Sequence, residues 1–431
     1  MIKLIFFVSL LLGLFLLSIY NLDYLYRYEN SLVQTGTILI LIFSLIVIAR
    51  YFILLLFSML NLTKNVNKNS YDSTHERMVS VIVPCFDEEK VIISSLESLK
   101  NQTYTNYEII VVDDGSRDNT SLIAQNMEYK KGKVQLTTLK KPNSGKANAL
   151  NFGIAYAKGE LILAVDADSK LSTDAIELMV QYFDDPKVGA VAGSVYVTNQ
   201  DNIWTKLQAL EYIQGLNLVR NAQAYLKLVN IIPGPIGMFR KSAILEVGGY
   251  RDDTYAEDCD LTLALIGKGY KIDYEIDAIS YTEAPESLLD LLKQRYRWTR
   301  GILQSILKHK SKLFKLYQNF SMSMVLWYML FEAIIWPIGS ILANIFIIYI
   351  AIISGQSQML IYWWIIFTIL DVVATLYCIS ITKEKFSLIL YSIYYRIFFV
   401  NIINIAKVFA TIEEFFDIQM DWGKLDRKGR I

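Results

Sequence analysis

The chain is 431 residues long and 53% hydrophobic, more apolar than the roughly 45–50% of an ordinary soluble domain, so it reads as an integral membrane protein. Its 42 basic and 42 acidic residues cancel, which removes any global electrostatic argument for nucleic acid. Cys85, Cys259 and Cys378 are scattered, with no C-x-x-C pair; that spacing excludes a disulfide framework and a zinc site, and the thiols read as core residues in a reducing compartment.

In chain order, Ile2 to Tyr20 is almost wholly apolar after Lys3 and lacks a small-residue cleavage site, so it is expected to be an anchor rather than a removed leader. Gly36 to Leu60, broken only by Arg50, is long enough for a second crossing, which needs about 20 residues. Residues 1–60 are thus expected to hold two transmembrane helices and 61–77 a linker. Lys64, Lys68 and Arg77 make that linker basic, which places it in the cytoplasm.

From Met78 the texture changes to short β-branched runs alternating with helical patterns, the signature of an α/β domain with a mostly parallel sheet. Strands are expected at Val79–Pro84, Glu108–Val112, Val134–Leu139 and Leu161–Val165, with a crossover helix over Lys90–Lys100. In open sheets of this kind ligands bind beyond the carboxyl ends of the strands. The acids of this chain cluster there.

Asp113-Asp114-Gly115-Ser116 follows one strand, where its side chains can meet a base and ribose or simply form a turn. Asp166-Ala167-Asp168 follows another. Carboxylates at i and i+2 in extended chain point the same way and can share one hard divalent cation with its diphosphate. Glu257-Asp258, ahead of a leucine-patterned helix, can supply a general base or merely an acidic helix N-terminus.

A basic segment, 285–320, comes next. Its Lys293, Arg295, Arg297, Arg300 and Lys308 are interleaved with leucines and aromatics, as in amphipathic helices lying in the membrane interface with cations toward anionic headgroups. The region 321–416 is again membrane-grade. It holds crossings from about Trp336 to Ile353 and over Met359–Ile381, then an apolar run, Phe386–Phe416, whose Arg396 must lie near a boundary or line something hydrated. Residues 417–431 form a polar basic tail, expected in the cytoplasm. His75 and His309 stand outside any ligand-like cluster.

The ordered set Pro84-Cys85-Phe86-Asp87-Glu88, D-D-G-S, Gly145-Lys146-Ala147-Asn148-Ala149-Leu150-Asn151, D-A-D, Pro233-Gly234-Pro235-Ile236-Gly237, E-D and Q-x-x-R-W (Gln294, Arg297, Trp298) resembles the family-2 inverting glycosyltransferases. Within them it is similar to the membrane-embedded processive synthases of cellulose, chitin, hyaluronan and poly-N-acetylglucosamine. The resemblance implies a cytoplasmic GT-A (Rossmann-like) domain over 78–284, inserted between transmembrane helices of a plasma-membrane protein. It implies a UDP-sugar donor, UDP-N-acetylglucosamine foremost, a growing polysaccharide as acceptor, Mg2+ or Mn2+, contact with the lipid bilayer and a small accessory membrane subunit. It also implies roles. Asp113, Asp114 and Lys146 bind the nucleotide; Asp166 and Asp168 hold the metal and diphosphate; Asp258, beside Glu257, is the base. Gln294 and Trp298 meet the acceptor, and Arg297 faces the diphosphate. Two departures stand out: Asp87 and Ala256 occupy positions where relatives often carry Asn and Thr. Transfer of a single sugar to a lipid or polyprenyl phosphate, and a non-catalytic channel or sensor, stay open as alternatives.

Overall fold

The computed structural model describes residues 31–66, 77–131, 134–353, 357–382, 384–418 and 429–430. The expected anchor at Ile2–Tyr20, most of the linker including His75, and most of the tail lie outside the described residues.

Nine strands form one sheet in the order β3-β4-β2-β1-β5-β8-β7-β9-β6. They are β1 (Val79–Cys85), β2 (Tyr107–Asp113), β3 (Tyr129–Lys131), β4 (Val134–Lys140), β5 (Leu161–Ala164), β6 (Ser169–Leu171), β7 (Val188–Val197), β8 (Gly237–Arg240) and β9 (Lys271–Thr282). The four expected strands are β1, β2, β4 and β5, each within a residue or so of its expected ends. β1 pairs in parallel with both β2 and β5, and Cys85 lies opposite Asp113, so the strands end level with one another. The second half departs from the parallel pattern. β8 runs antiparallel to β5 and β7, and β6 antiparallel to β9, so the sheet is mixed. A helical excursion through Ile203–Tyr225 carries the chain away before β8 returns from the opposite end. All ten residues of β7, VGAVAGSVYV, are buried; with both faces covered its pattern is continuous rather than alternating.

Val79, Val81, Ile82 and Val83 of β1 are wholly buried, and each contributes about 1.5–3 kcal/mol by leaving water. They hold the ends of β1, β2 and β5 rigid. All three cysteines are buried and free.

Flanking the sheet, four helices among the described residues are long and apolar enough to cross a membrane: Val33–Lys64, Phe320–Ile352, Ile365–Thr382 and Phe386–Phe415. The first belongs to α1 (Ser31–Val66), which runs six residues into the expected linker. Several charged groups inside these helices are paired, as low dielectric demands. Arg50 Nε donates to Glu332 Oε1 at 2.5 Å, Arg396 Nε to Asp371 Oδ2 at 2.5 Å, and Tyr51 OH to Asp371 Oδ1 at 2.9 Å. Arg396 is accommodated by a partner carboxylate. Glu332 and Arg396 each lie in a π-helical stretch, Phe331–Ile335 and Tyr395–Phe399, a widening that redirects a side chain within a continuous helix.

Candidate active site

The acids that follow β2 and β5 and begin the helix after β8 converge at one end of the sheet. Asp113 and Asp114 are both buried, each 4% exposed, yet they do different things. Asp113 accepts from the Ser116 amide at 3.1 Å, closing a turn, and lines a side cavity with Lys140 and Lys141. Asp114 accepts from Lys141 Nζ at 2.5 Å, from the Ser144 amide at 3.1 Å and from the Gly145 amide at 2.8 Å. It thereby fixes the loop that starts α2 (Lys146–Tyr156) and aims Lys146. Asp87 has φ +54°, a conformation that short polar side chains tolerate best. Its amide donates to Ser116 Oγ at 3.0 Å and its Oδ1 accepts from the Arg117 amide at 2.6 Å. Asp or Asn can serve equally as that acceptor, which accounts for the departure from Asn.

Lys146 is the hub. Its Nζ lies 2.6 Å from Asp166 Oδ1 and 3.1 Å from Glu257 Oε1, joining the two acidic motifs. Burial disfavours its charge, but Asp166, Glu257 and Asp258 outweigh that and hold the ammonium well above its usual range. Gly234 packs on the same pair: a Cβ there would stand 2.7 Å from Asp166 Oδ2 and 2.8 Å from Lys146 Nζ. The Pro-Gly-Pro loop approaches this closely because it has no side chain at that point.

Glu257 and Asp258 open α3 (Glu257–Gly267). Asp258 shares a small cavity with Lys146, Asp166, Pro233, Gly234 and Tyr250. Burial, then the neighbouring charge of Glu257, push its carboxyl up to about 6, against the pull of Lys146. Such a carboxylate is charged at neutral pH yet basic enough to take a proton.

A larger cavity of about 1440 Å³ adjoins it and shares Pro84, Lys146 and Asp166. Asp114, Asp168, Gln294 and Arg297 also line it. Among the described residues no group of three or more His, Cys, Asp or Glu side chains gathers around one point. Asp166 and Asp168 together suit a small hard cation that keeps some water and leans on substrate phosphate, the habit of Mg2+, so the residues fit a divalent ion completed by a diphosphate.

Gln294, Arg297 and Trp298 sit on α4 (Leu288–Lys308). Gln294 is buried and accepts from Arg295. Trp298 is outside the lining of the large cavity. Its half-buried ring lies under the Arg295 guanidinium, 4.2 Å from it, and tilts against Tyr212 at 6.5 Å. The Q-x-x-R-W motif is therefore split between the cavity and the packing behind it.

The basic segment also differs from expectation. Arg295 Nε donates to Glu211 at 3.1 Å, Arg300 Nε to Glu414 at 2.6 Å, and Lys308 Nζ to Asp253 at 2.5 Å and Asp260 at 2.8 Å. These cations turn inward because carboxylates of folded neighbours reach them, whereas headgroups would leave them solvated. His309 joins the same group, its Nε2 3.0 Å from Asp260 Oδ1. Gly301, two turns past Gln294, carries no signal in the sequence reading. A Cβ on it would stand 2.6 Å from Ala256 Cβ and 2.7 Å from Ala256 N. The helix bearing Q-x-x-R-W thus rests directly on the backbone that presents Glu257 and Asp258, and Ala256 in place of Thr keeps that contact small.

Acids at the ends of parallel strands, with a lysine joining one of them to the acid that opens a helix beside the same cleft, suit a fold of the GT-A kind. Residues 80–248 match the family model described as Glycosyl transferase family 2. Over 245 residues the chain is 34% identical to poly-beta-1,6-N-acetyl-D-glucosamine synthase of Staphylococcus aureus (strain COL), covering 56% of this chain and 59% of that protein. The enzyme of the same name from Staphylococcus epidermidis is 34% identical over 232 residues, 53% of this chain and 56% of the relative. The match spans a little over half the length of these curated relatives. The mannosyltransferase PcManGT from Pyrobaculum calidifontis, solved in complex with GDP-Man and Mn2+, shares the fold with TM-score 0.61 and 20% identity, over 88% of this chain and 100% of that one.

Proposed function

We propose that the chain is a processive, inverting glycosyltransferase that polymerises a sugar from a UDP-sugar, UDP-N-acetylglucosamine first among them, into a β-linked polysaccharide and passes the product through its own membrane helices. The observation that carries the reading is the convergence of Asp166, Lys146, Glu257 and Asp258 on a small cavity adjoining a larger one that is walled in part by an apolar, membrane-type helix. Similarity to the staphylococcal poly-N-acetylglucosamine synthases supports the choice of donor.

In this mechanism Asp258 removes the proton of an acceptor hydroxyl as its oxygen bonds to the anomeric carbon of the donor sugar. The bond from that carbon to the diphosphate oxygen breaks on the opposite face, and UDP leaves with the electron pair. A divalent cation held by Asp166 and Asp168 would offset charge on the departing diphosphate. Lys146 and Arg297 add fixed positive charge nearby. Asp113 borders the nucleoside end and Asp114 acts by holding the 144–145 loop. Gln294 meets the acceptor, and Trp298 supports this wall from behind by packing against Arg295.

The proposed layout has two N-terminal spans, a cytoplasmic domain over 78–284, interfacial helices to about 320 and membrane helices to 416. Lys64 and Arg77 at the domain entrance support the cytoplasmic side. α5 (Val400–Phe415) lines the catalytic cavity through Ile402, Ile405, Ala406 and Phe409, which favours an interfacial placement for it. Purified full-length protein in lipid, given labelled UDP-N-acetylglucosamine and Mg2+, is expected to release UDP and form high-mass product. Single-sugar products would overturn processivity, and another UDP-sugar outcompeting this one would overturn the donor.

A further inference from the structure

The large cavity, at about 1440 Å³, exceeds the roughly 300–1,000 Å³ of a small-molecule site, and its two sides differ in chemistry. Lys146 and the carboxylates occupy one side. On the other, α5 presents Ile402, Ile405, Ala406 and Phe409, spaced i, i+3, i+4, i+7 as a single stripe. Along α4 a matching stripe carries Leu289, Leu292 and Lys293. Leu289 is 70% exposed, Phe409 58% and Ile405 46%, so among the described residues these walls are left uncovered.

A nucleotide sugar is polar along its whole length, and a glycan presents C–H faces that suit aromatic rings; on this side Phe409 and Tyr296 offer such rings, whereas Leu289, Leu292, Ile402 and Ile405 match neither ligand. Hydrocarbon chains do gain by covering such walls, about 25 cal/mol for each Å² removed from water. Lys293 stands next to Leu292 at the cavity edge, its side chain 65% exposed and 3.7 Å from Asp290. A cation bordering an apolar stripe suits an anionic headgroup whose tails follow the stripe. The run that contains α5 is itself apolar enough for a membrane span, which brings the bilayer to this wall.

We propose that a phosphate-headed membrane lipid occupies the α4–α5 side of the catalytic cavity, its headgroup against Lys293 and its chains along Ile402, Ile405 and Phe409. The lipid forms one wall of the cleft. The inference rests on the membrane placement in the proposed function and not on the identity of donor or acceptor.

The test reconstitutes the full chain in phosphatidylcholine nanodiscs doped with phosphatidic acid that carries a diazirine in its acyl chain, followed by irradiation and peptide mapping. Label is expected to concentrate on 289–296 and 402–409 over other exposed membrane-facing residues such as Ile345 and Ile352. Unlabelled phosphatidic acid displaces it and inorganic phosphate does not. K293Q lowers labelling about fivefold while the unfolding midpoint stays within about 2 °C, since Lys293 is a surface residue. Labelling in proportion to exposure, equal labelling by a diazirine phosphatidylcholine, or an unchanged yield in K293Q would each overturn the site. Displacement by inorganic phosphate would assign the cation to a soluble anion and overturn it too. Capture of a peptide of this chain or of another protein at 402–409 would show a protein occupant instead. Polymer synthesis measured in the same discs separates the two readings: active enzyme with unfocused labelling refutes only the lipid site, and focused labelling without synthesis refutes only the transferase.

Discussion

Asp258 offers the sharpest test of the proposed chemistry. Burial and Glu257 lift its carboxyl to about 6, so about one tenth is ionised at pH 5 and about nine tenths at pH 7. If it is the base, kcat/KM for UDP release climbs about tenfold across that interval; an aspartate at its ordinary value near 4 would give a flat profile. Replacing Lys146 with Met removes the attraction that holds the value down, so the residual activity of K146M should rise at higher pH than wild type. D258N should lose about 10²–10⁴ of the rate. Stability should move the other way. A carboxyl whose folded pKa is raised binds its proton more tightly in the folded chain, so folding loses free energy as pH climbs from about 4 through about 6. The loss reaches up to about 3 kcal/mol at neutral pH. D258N escapes it and should unfold at a higher temperature than wild type at pH 7 and at the same temperature at pH 4. A flat rate profile from pH 5 to 7 would refute the assignment, and a D258N protein both inactive and less stable at pH 7 would trace its inactivity to misfolding.

Three further outcomes follow from other contacts. D166N and D168N should each raise the divalent cation concentration for half-maximal UDP release at least about tenfold, and unchanged cation curves would remove this pair from the proposed metal site. E211Q leaves Arg295, 2% exposed, buried without its carboxylate, which costs about 3–5 kcal/mol; thermal unfolding should show it, and E211L/R295M should recover more than half. G301A drives a methyl to 2.7 Å from the Ala256 backbone nitrogen, a contact no rotamer relieves. It should cost about 1–3 kcal/mol of stability and at least about tenfold in kcat, while A256G restores the rate only in part because the nitrogen remains.

Much of the frame was legible because hydrophobic periodicity and strand-end polarity are local. β1, β2, β4 and β5 announce themselves as β-branched runs, and Asp113, Asp166 and Asp168 follow them directly. The second half of the sheet was less legible. β8 is four residues long and β7 is buried throughout, so neither strand direction nor pairing partner is written in the pattern of either. Three cations of the basic stretch after Pro285 are illegible for a related reason: Arg295, Arg300 and Lys308 look like headgroup-facing cations until Glu211, Glu414 and Asp260, 84, 114 and 48 residues away, are brought to them. Side-chain spacing along one helix cannot reveal a partner on another.

The Q-x-x-R-W stretch shows the division most clearly. Residue types and their order, local properties that no folding is needed to reveal, determined that acids, a lysine, a glutamine, an arginine and a tryptophan resembling a glycosyltransferase set are present and that long apolar helices flank them. Only the tertiary structure decided which of them share a cavity. It joined Lys146 to Asp166 and Glu257, gave Arg297 the cavity and Trp298 the packing beneath Arg295, and let Gly301 settle onto Ala256. Those outcomes depend on close approach between segments distant in sequence, where steric fit and low dielectric select one arrangement from many that the motif alone allows.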